Sequence, residues 1–358
     1  MSMTTSARTT QTPVPPTTPG DPTVARLAAL TDLVTPYAIR AAATLGLADL
    51  IAEGITTADA LAERTRSDAD ALRRLMDHLA ASGLLEEPDP GCYALTELGC
   101  VLRDDHPART RAWLDLDGGM GRSDLALSGL LTTIRTGEPA YPDRFGASFW
   151  EDLAANPTRA ASFDTLMETH LANVEAAADS YDWSSAGHVV DVGGGSGKLL
   201  TRILNANREL RGTLVELPGT AENARRQLAD AGLTDRCTVV PGTFFAPLPS
   251  GADAYVLSFV LHDWNDRRAA QILDRCAAAA ARHGHVVVIE RLREEGMKQP
   301  WATAMDLRML LTVGGRERTL DDFRALAATV NLTLNTAVQT PTGASVLTFA
   351  TNQPPRDR

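Results

Sequence analysis

Asp191-Val192-Gly193-Gly194-Gly195-Ser196-Gly197 grows out of the short apolar run His188-Val189-Val190-Asp191-Val192 and sits where a first strand turns into a first helix. That succession opens a doubly wound α/β domain, a Rossmann-like fold with a mainly parallel sheet, whose ligands bind beyond the carboxyl ends of the strands. Four further runs repeat the strand half of the pattern: Gly212-Thr213-Leu214-Val215-Glu216, Cys237-Thr238-Val239-Val240, Ala254-Tyr255-Val256-Leu257-Ser258-Phe259 and His285-Val286-Val287-Val288-Ile289. Helical segments separate most of them. Two last runs, near Leu332-Thr333-Leu334 and Ser345-Val346-Leu347-Thr348-Phe349, close a domain expected over residues 183–352, with a short tail at 353–358.

The glycine spacing narrows the ligand. A dinucleotide fingerprint with glycines at 193 and 195 needs a third at 198, where Lys198 stands; a phosphate loop ending in Gly197-Lys198 needs a glycine at 192 and a hydroxyl at 199, where Val192 and Leu199 stand. Both phosphate readings fail. S-adenosylmethionine carries an ammonium, a carboxylate and a sulfonium but no phosphate, so a loop that admits close backbone approach without an anion cradle suits it. Asp191, Gly193, Gly195 and Gly197 are then cofactor contacts. Glu216, nineteen residues past Gly197 at the end of the second strand, is placed to accept both ribose hydroxyls.

Upstream the texture is helical. Residues 1–22 are rich in Thr and Pro and read as a disordered leader. From residue 23 to 105 the spacing of Leu27-Leu30-Leu33-Val34 and Leu72-Leu75-Met76-Leu79, with breaks at Gly46 and Gly83, gives a small helical domain. Helix starts at Thr56-Thr57-Ala58-Asp59 and Arg66-Ser67-Asp68, then two short β-like runs about Pro88-Asp89-Pro90-Gly91, suggest a winged helix-turn-helix. Such a unit commonly binds DNA, but between Val24 and Cys100 six Lys plus Arg face twelve Asp plus Glu. Dimerisation is the expected role, giving a homodimer.

Residues 106–182 form a helical connector whose bulky groups Trp113, Met120, Phe149, Trp150 and Met167 either wall an acceptor pocket or fill ordinary core. A net charge of -11 argues against nucleic acid, and apolar residues at 44% supply ample core. Cys92, Cys100, Cys237 and Cys276 show no paired spacing, so reduced thiols and no metal site are expected. Without a basic-then-apolar leader or an apolar run of membrane length, the chain reads as cytoplasmic, with small molecules as partners.

Leu261-His262-Asp263-Trp264-Asn265-Asp266 leaves the carboxyl end of the fourth strand, where a histidine is poised to take a proton near neutral pH. Together with the glycine loop and Gly314-Gly315-Arg316-Glu317-Arg318-Thr319, this motif resembles the plant-type small-molecule O-methyltransferases over nearly the whole chain from about Thr23. Asp104-Asp105-His106-Pro107, Tyr181-Asp182-Trp183 and Asp306-Leu307-Arg308-Met309-Leu310 bring it nearest to bacterial, carminomycin 4-O-methyltransferase-like enzymes that tailor aromatic polyketides. The resemblance implies a domain-intertwined dimer and S-adenosylmethionine in the C-terminal domain. It also implies a catalytic His262 with acidic partners Glu290 and Glu317, and cofactor contacts by Phe244 and Ser258. Leu217, Gly242, Thr243 and Phe259, neighbours at the same sheet edge, join that set. Many members carry Asp where Thr243 stands, so the adenine amino group would meet a hydroxyl here.

The implied reaction is in-line attack of an aromatic oxygen on the cofactor's methyl. A phenol of pKa about 10 facing a histidine of about 6.5 leaves a mismatch of roughly 5 kcal/mol for complete transfer, which acidic partners would reduce. Trp264, Met305 and Met309 line the acceptor pocket or simply pack. Two rivals stay open: decarboxylation or hydroxylation of a polyketide on the same fold, since close relatives in anthracycline tailoring include such enzymes, and a winged-helix regulator that senses a ligand.

Overall fold

The computed structural model describes residues 21–167, 171–280, 284–293 and 300–351. The predicted tail and all of the predicted leader except its last two residues lie outside them. Asp21 accepts the Thr23 N–H and caps the helix Pro22–Leu30, so the leader's final residues begin an element. The chain divides into two compact units, Met1–Arg103 and Asp104–Arg358.

In the first unit the predicted punctuation sets the helices. Val34–Leu45 ends at Gly46, whose φ of 65° only a residue without Cβ takes cheaply. Ala58–Thr65 and Ala69–Ala81 start at the caps Thr57 and Asp68. Strands β1 (Leu85–Asp89) and β2 (Cys92–Leu95) then pair antiparallel.

The second unit opens with helices, among them Thr110–Leu114, Gly119–Leu125, Leu130–Thr136, Phe149–Ala155, Pro157–Met167 and Leu171–Asp179. Seven strands follow: β3 (His188–Val192), β4 (Arg211–Glu216), β5 (Cys237–Pro241), β6 (Ala254–Ser258), β7 (His285–Glu290), β8 (Leu332–Gln339) and β9 (Ser345–Thr351). They lie in the order β5-β4-β3-β6-β7-β9-β8; β3 to β7 run parallel, and β9 is antiparallel to β7 and β8. Their side chains alternate between two cores. Val190, Val192, Tyr255, Leu257, Val286 and Val288 point to one, and Val189, Ala254, Val256, Val287 and Ile289 to the other. A sheet buried on both faces is what near-continuous apolar strands require. The chain winds outward from β3 to β5 and returns through β6, so the switch point lies beyond the adjoining ends of β3 and β6.

Candidate active site

Two loops meet that switch point. After β3, Gly193, Gly195 and Gly197 take φ of 73°, 55° and 84°, a left-handed backbone that a Cβ would strain. A Cβ on Gly193 would press Val260 and Phe244 at 3.1 and 3.3 Å, and one on Gly194 would meet the Asp191 carboxylate at 2.5 Å. The Gly195 N–H donates to Glu216 Oε2 at 3.0 Å, and the Leu217 N–H to Oε1 at 2.7 Å, so β4 clamps the turn. Gly242 N–H donates to the Glu216 carbonyl at 2.8 Å and brings Thr243-Phe244 alongside.

Asp191 is fully buried beneath this loop, and among the described residues neither of its oxygens has a partner at full hydrogen-bond geometry, the Leu200 N–H exerting only a weak pull on its carboxyl. Burial, with the Glu216 charge nearby, pushes its pKa up to about 7. Burial also raises Glu216, against the pull of its two backbone donors.

After β6 the backbone turns sharply. Phe259 has a φ of 53°, an uncommon conformation for a bulky residue and one that gathers at functional sites. It leads into a short 3-10 turn, Leu261–Asp263. Glu290, at the end of β7 and 1% exposed, accepts the N–H groups of Leu261 and His262 through Oε1, at 2.9 and 3.2 Å. Its Oε2 lies 3.1 Å from His262 Nδ1; Glu317 Oε1 is 3.9 Å from the same nitrogen, and Asp263 Oδ1 is 3.4 Å from Nε2. Burial disfavours the imidazolium, but Glu290, Asp263 and Glu317 together outweigh it and raise His262 to about 10. Burial lifts Asp263 to about 7 and Glu317 above its ordinary value, in each case against the pull of the imidazolium.

A family model described as an O-methyltransferase domain matches residues 128–331, and one described as an O-methyltransferase dimerisation domain matches residues 28–104. The chain belongs to the O-methyltransferase family. The 2,7-dihydroxy-5-methyl-1-naphthoate 7-O-methyltransferase of Streptomyces carzinostaticus is 51% identical over 87% of this chain and 93% of its own length. Aclacinomycin 10-hydroxylase RdmB of Streptomyces purpurascens is 48% identical over 89% and 86%. A crystal structure of the O-methyltransferase NcsB1 from neocarzinostatin biosynthesis, with S-adenosylmethionine and 2-hydroxy-5-methyl naphthoic acid, matches with a TM-score of 0.85 and 49% identity, over 91% of this chain and 98% of that one. This enzyme is thus an S-adenosylmethionine-dependent O-methyltransferase with an α/β catalytic fold.

The loop of this methyltransferase fits such a cofactor. The buried Asp191 and the half-buried Glu216 flank a turn built for close backbone approach, an acidic arrangement that suits a sulfonium and an ammonium and disfavours a phosphate. Thr243, at the position expected to face adenine, is exposed, and its hydroxyl accepts the Phe245 N–H at 3.3 Å. Among the described residues, no helix is long and apolar enough to cross a membrane.

Other expected contacts separate. Phe149 is buried in a core with Tyr141, Leu153 and Leu311, its ring edge-on to Tyr141, Trp150 and Phe163. Trp264 likewise stands edge-on to Phe244 and Phe245, with ring centres 5.8 and 4.9 Å away. Met305 and Met309 are half-buried on the helix Pro300–Val313, and the Met309 carbonyl accepts the Gly315 N–H at 3.1 Å. Trp113 and Met120 are half-buried on short helices packed against Pro157–Met167, which ends at the half-buried Met167. Asp263 was missed as a member of the His262 cluster, although it is the next residue. Gly315 was missed as well: a Cβ there would fall well inside contact distance of the His262 carbonyl oxygen.

Proposed function

We propose that this enzyme methylates a phenolic hydroxyl of a fused-ring aromatic polyketide, anthracycline-like in its ring system, with His262 holding the phenol's proton. The observation that carries the reading is the enclosure of His262 by Glu290, Asp263 and Glu317 within 3.9 Å. Raised to about 10, the imidazole matches a phenol of about 10, so the mismatch expected for an ordinary histidine nearly vanishes. Phenolate beside imidazolium then costs little more than phenol beside imidazole. S-adenosylmethionine, when bound, supplies the methyl group as a sulfonium electrophile. The chain's residues do the rest: Asp191, Glu216, Leu217, Phe244, Ser258 and Phe259 shape the cofactor's bed, His262 keeps the proton, and Glu290 and Glu317 steady its charge.

The names of the relatives at 51% and 48% identity favour a fused-ring acceptor, and half-buried Trp150, Met305 and Met309 are its proposed apolar wall. The dimerisation-domain match favours a homodimer, and a cytoplasmic location is part of the same proposal. Because one relative is named a hydroxylase, product analysis decides the chemistry. With methyl-labelled S-adenosylmethionine and 2,7-dihydroxy-5-methyl-1-naphthoate, the expected product is heavier by one labelled methyl on oxygen, with one S-adenosylhomocysteine formed. A product that has lost carbon dioxide or gained oxygen, with the label retained on the cofactor, overturns the reading.

A further inference from the structure

Arg318 is a cation with a fully buried side chain. Its guanidinium makes five hydrogen bonds: Nη1 to the carbonyls of Leu261 (2.7 Å) and Arg316 (3.4 Å), Nη2 to the Trp264 carbonyl (2.7 Å) and Asp266 Oδ1 (2.9 Å), and Nε to the same carboxylate oxygen (3.0 Å). That matches the five N–H groups of a guanidinium, of which lysine could replace three at most. The bonds converge on one short stretch. Leu261–Asp263 is a short 3-10 turn entered through the left-handed Phe259, so local backbone bonds alone hold it weakly. Its N–H groups are held by Glu290, while its carbonyls are held from the opposite side by Arg318 and by the Arg316 N–H, which donates to the His262 carbonyl at 2.8 Å.

We infer that Arg318 is a positioning residue for the proton-holding histidine: by tying the carbonyls of Leu261 and Trp264 it fixes the turn that carries His262 against Glu290. The inference rests on the reading of His262 given above. Three variants separate the two: His262→Ala, Arg318→Lys and Asp266→Ala. Each is measured for S-adenosylhomocysteine affinity by calorimetry and for turnover with 2,7-dihydroxy-5-methyl-1-naphthoate; the two that keep the imidazole are also titrated by NMR in the S-adenosylhomocysteine complex. Arg318→Lys is expected to keep affinity within about twofold, lower turnover about tenfold at similar KM, and move the His262 midpoint down by about one pH unit. A merely structural arginine would change thermal stability without moving that midpoint. Unchanged turnover and midpoint in Arg318→Lys, with turnover lost in His262→Ala, overturns the inference alone. Wild-type turnover in His262→Ala overturns the reading of His262, and with it the inference. Should Arg318→Lys fail to bind S-adenosylhomocysteine, Asp266→Ala decides, since it removes two of the five bonds from an exposed position: a smaller fall in the same midpoint supports the inference, and no fall contradicts it.

Discussion

Glu290 grips His262 at two levels, its Oε1 taking the histidine's own backbone N–H at 3.2 Å while Oε2 stands 3.1 Å from Nδ1. One carboxylate thus sets both where the imidazole sits and how strongly it holds a proton. Two substitutions pull these roles apart. Glu290→Gln keeps an oxygen for the N–H groups of Leu261 and His262 but removes the charge. Because a raised pKa keeps the imidazole charged well above neutral, turnover should climb with pH up to about 10, where the enzyme–phenol complex sheds its first proton. Glu290→Gln should shift that limb to lower pH and lower its plateau, as read from kcat against pH. Glu290→Ala should in addition destabilise the fold by about 1–3 kcal/mol for each N–H left unpartnered.

Gly315→Ala tests the other wall of the turn. The added Cβ overlaps the His262 carbonyl oxygen and comes within 3.0 Å of Asp263 Cα, so the backbone must move. A displacement of about 1 Å can cost roughly a hundredfold in rate, and that is the expected fall in kcat, with S-adenosylhomocysteine affinity little changed. Full activity in this variant would show the turn to be loose.

Glu216→Gln addresses the cofactor bed. Both carboxylate oxygens take a backbone N–H, from Gly195 and Leu217, and an amide offers one oxygen in place of two. One N–H then loses its partner, at about 1–3 kcal/mol. Calorimetry should find S-adenosylhomocysteine bound roughly tenfold more weakly; an unchanged Kd would remove Glu216 from the site.

Asp191→Asn makes a prediction about stability. Burial holds this carboxyl near 7, above the ordinary value of about 3.9, so the folded chain keeps a proton that the unfolded chain releases between those values. The contribution is fully present below about pH 4 and is lost as pH rises through about 7. In cofactor-free enzyme, the Tm of Asp191→Asn relative to wild type should therefore rise from pH 5 to pH 8. A difference independent of pH would show that Asp191 is not held protonated.

Much of this was legible in the sequence, for physical reasons. Strands buried on both faces announce themselves as unbroken apolar runs, which is why β3, β6 and β7 were located to within a residue or so. The glycine loop was legible because phosphate sites demand residues that are absent. Strand β8 extends past Leu334 to Gln339 through mostly exposed positions, and an edge strand without an apolar face carries little pattern. Arg318 was opaque for a different cause: arginine reads as surface, and its burial depends on partners mostly 52–57 residues away. The ring neighbours of Phe149 and Trp264 were opaque in the same way, since a bulky side chain does not declare which aromatic groups it will meet.

The account depends most on His262 carrying its proton far above the ordinary histidine range. NMR titration of the labelled His262 imidazole in the S-adenosylhomocysteine complex measures this directly. The expected midpoint is about 10, with the ring still charged at pH 8; a midpoint near 6.5, with a neutral ring at pH 8, would contradict it.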